Sequence, residues 1–162
     1  MSVLEIMSML DPKHGHPRVG CGGIPEIDWR DVCGALATLP KPQQDFAYLI
    51  HNPRSGRPKL ALTAALGQLV YDEVKARGIQ CRKQRLDQLC ACIAASALYQ
   101  VLHPHVCTTR AQRMAAGGIT MGEEAYKQRW ERFEQGIKAL LLYWHDAIEQ
   151  AFIQYMRATK RA

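Results

Sequence analysis

Apolar residues recur at steps of three and four over most of the chain, the period of helices with one buried face. Leu62, Leu66, Leu69, Val70 and Val74 mark one such helix over residues 60–77, with Gly78 where a C-cap favours a left-handed backbone. A second long helix is expected over 79–102. Its start is basic (Arg82, Lys83, Arg85), and its later part (Leu86, Leu89, Ile93, Ala94, Ala97, Leu98, Val101) is apolar enough to be core. The stripe Tyr126, Trp130, Phe133, Ile137, Leu140, Leu141, Trp144, Ile148, Phe152 and Tyr155 reads as one helix bent at Gly136. At about 1.5 Å per residue such a helix exceeds roughly 50 Å. Asp28 is a good N-cap for a helix over 29–39, with Trp29, Val32, Cys33 and Leu36 inward. Pro40 and Pro42 stop it, and a short helix over 43–50 offers Phe46, Ala47, Leu49 and Ile50. Val3, Leu4, Ile6 and Leu10 pack onto something the pattern does not specify, and residues 11–25 are turn-rich in Pro and Gly. No strand signal or repeat stands out. The expected fold is all-α, one compact helical domain over 1–162 with a long C-terminal helix.

Residues 108–135 carry a helix-turn-helix pattern: a short helix, the Gly117-Gly118 corner, then a helix whose start is marked by Thr120-Met121-Gly122-Glu123, a Thr-x-x-Glu capping box. Ala115 and Ala116 allow close helix approach, Gly117 or Gly118 takes the positive backbone angle, and Ile119 fills the space between the helices. Ala125, Tyr126 and Trp130 then anchor the second helix. In such motifs that helix meets DNA base edges by its N-terminal residues. Thr120, Met121, Glu123, Glu124, Lys127 and Gln128 are the positions facing base edges, while Arg110, Arg113, Lys127 and Arg129 hold phosphates and Gln112 joins the contact set. Glu123 and Glu124 work against phosphate. A plain αα-corner is the bland alternative, and the helices around Gly78-Ile79 form a second-ranked candidate.

The formal charge of +6 over 162 residues is compatible with a polyanionic partner. The start lacks the basic flank of a signal peptide, so the six cysteines are expected as free thiols in a reducing cytosol. No run is long and apolar enough to span a membrane. Paired zinc knuckles are absent; Cys90 and Cys92 point apart on a helix. His103-x-His105-x-Cys107 is the better-placed donor trio, with His14 and His16 further away, yet neither metal nor cofactor is expected. Phosphate-loop, nucleophile-elbow and His-Glu-x-x-His signatures are also missing, so no enzymatic activity is expected.

Residues 51–59 read as a basic loop stiffened by proline, in which His51, Asn52, Arg54, Arg57 and Lys59 either contact nucleic acid or protein or form a solvated connector. The run Ala125-Tyr126-Lys127-Gln128-Arg129-Trp130, continuing through Ile137-Lys138-Ala139-Leu140 to Trp144-His145-Asp146-Ala147-Ile148-Glu149, resembles the C-terminal part of the Q antitermination proteins of lambdoid bacteriophages. The resemblance implies a factor in the bacterial host cytoplasm. It would bind double-stranded DNA at a late promoter, engage paused RNA polymerase through sigma and the flap, and obstruct the RNA exit channel against terminator hairpins. The number of copies on DNA, one or two, stays open. Lambda-type members carry a cysteine-rich zinc insertion, which this chain lacks, so the resemblance does not extend to zinc. A task for the 51–59 loop at the channel mouth, beside nascent RNA, is a separate expectation that no family residue carries over. Two alternatives remain: a helix-turn-helix repressor or activator acting on initiation only, and a helical protein-interaction module.

Overall fold

The structure, a computed structural model, describes residues 29–52, 55–81 and 85–159. Asp28, the apolar positions of residues 1–10, His14, His16, Arg54, Arg82 and Lys83 lie outside them. The described chain is all-α: α1 (Trp29–Ala37), α2 (Lys41–His51), α3 (Gly56–Ala76), α4 (Leu86–Leu102), α5 (Arg110–Gly117), α6 (Glu123–Arg129) and α7 (Glu131–Thr159). No described helix is long and apolar enough to cross a membrane.

α3 and α4 form the central antiparallel hairpin. Lys59 near the start of α3 lies over the Tyr99 ring near the end of α4, and Gly67 faces Ala91 midway. Leu62, Leu66, Val70 and Val74 of α3 meet Leu89, Ile93, Ala97 and Leu98 of α4, and α7 closes this core with Phe133, Ile137, Leu141 and Ile148. Phe46 of α2 reaches Trp144 of α7, ring centroids 6.3 Å apart. Val32 and Ala35 of α1 cover Phe152 in a smaller cluster near the C-terminal end of α7. Two inward assignments fail at the surface: Cys33 is exposed and Leu69 is 48% exposed.

Helix starts and stops account for the remaining differences. α2 begins at Lys41, two residues before the expected start, because Pro42 sits in the first turn, where a missing N–H costs nothing. Gly78 does end α3: at φ 64° it donates to the Lys75 carbonyl (2.9 Å) while Ile79 N–H reaches Val74 O (3.1 Å), a Schellman pair. Helix does not resume at residue 79. Residues 79–81 are non-helical, α4 starts at Leu86, and the candidate helix-turn-helix around Gly78-Ile79 is thereby lost. The C-terminal stripe is also divided, since Trp130 separates α6 from α7.

α7 runs through Gly136 without interruption, and a Cβ there would meet nothing within 4 Å. Gly136→Ala is therefore expected to stabilise the fold by about 0.5–1 kcal/mol through the lower backbone entropy of the unfolded chain. Thermal denaturation would register this as a Tm rise of roughly 1–4 °C; an unchanged or lower Tm would mean that the glycine is required.

Candidate nucleic-acid interface

α5 opens with the capping box of the region. Thr109 Oγ1 accepts from Gln112 N–H (3.3 Å), and Gln112 Oε1 accepts from the N–H groups of Thr108 and Thr109, each at 3.1 Å. Gln112 is thus engaged in holding a helix end. α5 closes as α3 does: Gly118, at φ 73°, donates to Ala115 O (3.1 Å), and Ile119 N–H reaches Met114 O (2.9 Å). Met114 and Ile119, the positions that an apolar contact joins in this motif, are both buried in the core. α6 then starts at Glu123 with Gly122 as its N-cap and no side-chain cap, so Thr120 does not form the expected capping box.

Close approach in this motif belongs to Gly117. A Cβ on it would lie 2.6 Å from the Cys92 carbonyl oxygen and 2.7 Å from Ser96 Cβ, so the end of α5 rests directly on α4. Ala115 and Ala116, expected to serve this purpose, are exposed. α6 is anchored by Tyr126 (0% exposed) and Trp130 (3%), whereas Ala125 is exposed.

Two of the arginines expected on phosphates face inward instead. Arg110 donates through Nε and Nη2 to the two carboxylate oxygens of Glu131 (3.1 and 3.3 Å), and that hydrogen bond raises its pKa further. Arg113, its side chain 15% exposed, donates through Nη2 to Glu131 Oε1 (2.6 Å) and places Nε 3.5 Å from Glu134 Oε2. Glu134 is fully buried, and its Oε1 accepts from Gln100 Nε2 (2.9 Å) and from the Ser96 hydroxyl, which also lies 2.9 Å from the Arg113 carbonyl. Burial, then the Glu134 charge, pushes the Tyr126 phenol up and keeps it neutral. α4, α5, α6 and α7 therefore converge on one buried polar knot. It engages Arg110 and Arg113, two of the expected phosphate contacts, while exposed Gln112 is held by the capping box.

The remaining expected contacts do share a surface. Thr120, Glu123, Glu124, Lys127, Gln128 and Arg129 are exposed and Met121 is half-buried; Gln128 Nε2 donates to Glu124 Oε1 at 2.9 Å. One side of α6 borders a groove of about 970 Å³ whose opposite wall is the non-helical segment after α3. Met121, Ala125, Gln128, Arg129 and Arg132 line the helix wall, and Gly78, Gln80 and Cys81 line the other. Arg132 and Gln80 were absent from the sequence-based set. Arg132 was within reach, because the sequence pattern reads residues 126–155 as one helix on which it follows Arg129 by three positions; the proximity of Gln80 depends on tertiary packing alone.

The residues assigned to the 51–59 loop lie elsewhere. His51 ends α2, Asn52 is its C-cap, Arg57 and Lys59 belong to the first turn of α3, and Ser55 N–H reaches Asn52 O (3.1 Å) at the corner between the two helices. Lys59 Nζ sits 5.9 Å from the Tyr99 ring centroid, and Arg57 is exposed. The 21 residues of α3, about 30 Å at 1.5 Å per residue, separate this corner from the groove.

Among the described residues no three His, Cys, Asp or Glu side chains gather as a metal site. His103 packs on Tyr99 (centroids 4.5 Å apart), and Cys107 Sγ lies 3.8 Å from Gln112 O. Burial pushes the Cys90 thiol up to about 11, away from nucleophilic use. Compared with protein-family models, curated proteins and solved structures, the chain gave no significant match.

Proposed function

We propose that this chain is a transcription antitermination factor of the Q type. It binds duplex DNA at a phage late promoter through α5 and α6, loads onto paused RNA polymerase holoenzyme, and acts at the RNA exit channel to suppress pausing and termination. The surface of α6 carries the DNA-binding part of this reading. Tyr126 and Trp130 hold the helix on the core, while Lys127 and Arg129 remain exposed with no acidic partner among the described residues. The likeness of residues 125–149 to Q proteins supports the elongation part. The α2–α3 corner offers exposed Arg57 to RNA or polymerase, and Leu142 (51% exposed) and Tyr143 (66%) on α7 suit a protein contact.

Purified chain added to polymerase holoenzyme on a late-promoter template is expected to raise readthrough of a downstream terminator. Lys127→Ala with Gln128→Ala is expected to weaken loading and lower the salt dependence of DNA binding by about one phosphate contact. Arg54→Ala, Arg57→Ala and Lys59→Ala together are expected to leave DNA affinity intact while reducing readthrough. Termination unchanged by the wild-type chain would overturn the antitermination reading. Altered initiation with unchanged elongation would favour a helix-turn-helix regulator of initiation.

A further inference from the structure

α6 has two accessible sides of different character. Exposed Glu123, whose charge opposes phosphate, is not part of the groove, and Glu124 borders it through its contact with Gln128 (2.9 Å). The groove side carries Gln128, Arg129 and, continuing into α7, Arg132. Arg129 has no acidic partner among the described residues, and the Arg132 guanidinium lies 4.8 Å from the Phe133 ring centroid, with Arg77 on the same ring at 5.9 Å. Across the groove, Gln80 is exposed and Gly78 presents no side chain. A concave surface with two guanidinium groups on one wall and an amide on the other has the donors that phosphate oxygens take up. It has no exposed aromatic face, because Trp130 is 3% exposed, and stacking on such faces is what single-stranded binders rely on.

We infer that one phosphodiester strand of duplex DNA seats in the groove between residues 78–81 and α6, held by Arg129 and Arg132 from one wall and Gln80 from the other. This inference rests on the DNA-binding reading and specifies its geometry: α6 approaches the duplex by its groove side, and the segment after α3 is a second contact element. Glu123 then lies outside the groove lining, while Glu124 sits at its edge with one carboxylate oxygen taken up by the Gln128 amide (2.9 Å).

The test is fluorescence anisotropy of a labelled mixed-sequence duplex over a salt series, using the full chain. Arg132→Gln is expected to weaken binding for every sequence and reduce the slope of log affinity against log salt by about one. Gln80→Glu, on the opposite wall, is expected to weaken binding as well, whereas Asp146→Asn, an exposed carboxylate outside the groove, leaves the slope unchanged. Residues 80, 132 and 146 are all exposed, so the variants are expected to melt as the wild type does. Wild-type affinity in both Arg132→Gln and Gln80→Glu, alongside a loss in Lys127→Gln, would overturn the groove and leave DNA binding standing. No salt-dependent affinity of the wild-type chain for duplex would overturn DNA binding itself and the groove with it. Oligothymidylate bound more tightly than duplex, and released by Arg132→Gln, would overturn the duplex assignment in favour of a single strand.

Discussion

Gly117→Val is expected to cost about 3 kcal/mol of folding stability, near the upper end of what small-to-large core substitutions do. The neighbour that a side chain would meet is the Cys92 backbone carbonyl at 2.6 Å, in the middle of α4, and a helical carbonyl cannot rotate aside as a side chain can. Relief requires α5 to lift from α4, exposing Met114 and Ile119. Urea denaturation should place Gly117→Ala between the wild type and Gly117→Val, even though alanine has the better intrinsic helix propensity by about 1 kcal/mol. Gly118 differs. A Cβ there would find only Cys92 Sγ at 3.9 Å, so Gly118→Ala is charged only for the left-handed backbone, about 1–2 kcal/mol, and Gly118→Asn for less. If Gly117→Ala were more stable than the wild type, the tight α4–α5 approach would be disproved.

The second large effect is expected at Arg113. Removing one partner of a buried ion pair leaves the other charge uncompensated, typically at about 3–5 kcal/mol. Arg113→Met strips Glu134 of its cation while Glu131 keeps Arg110, so a loss of about 3 kcal/mol is expected at neutral pH. The double variant Arg113→Met/Glu134→Leu should recover much of it, since two apolar side chains can occupy the site without an unpaired charge. A double-mutant cycle measures this directly, and strict additivity would show that the two residues are uncoupled. The same variant separates two roles for Arg113. A phosphate contact would lose DNA affinity at unchanged stability, whereas the knot described above predicts the reverse order of effects.

Much of the helical architecture was legible because burial on one face imposes a period. Leu62, Leu66, Val70 and Val74, and later Ile137, Leu141, Ile148 and Phe152, repeat at helical spacing and are buried. The Gly78 stop was legible too, since only a left-handed residue completes its hydrogen bonds. The caps were harder. Thr109-x-x-Gln112 and Thr120-x-x-Glu123 satisfy the same local pattern, and only the first forms a box. In the second, helical hydrogen bonding starts at the Gly122 carbonyl, which accepts from Tyr126 N–H. Arg110 and Arg113 misled for a related reason. A basic residue near a turn reads as a surface charge until its acid partner is known, and Glu131 stands 18 and 21 residues away. Of the interface, the exposed positions on α6 were within reach of periodicity. The opposite wall, contributed by residues 78–81, was not.

With Arg110 and Arg113 on Glu131 and Glu134, Lys127 and Arg129 of α6 and Arg132 at the start of α7 have no acidic partner among the described residues. On the proposed DNA-binding reading, three phosphates neutralised would make affinity fall with about the 2.7th power of salt, a weak hold beside proteins that make many such contacts. A single chain of this design would leave DNA quickly at cellular ionic strength. Residence at a site would then come from avidity: a second, simultaneous attachment to something already stationed there keeps the local concentration high enough for a modest DNA grip to suffice. The same economy would let the chain release its site once that attachment moves on.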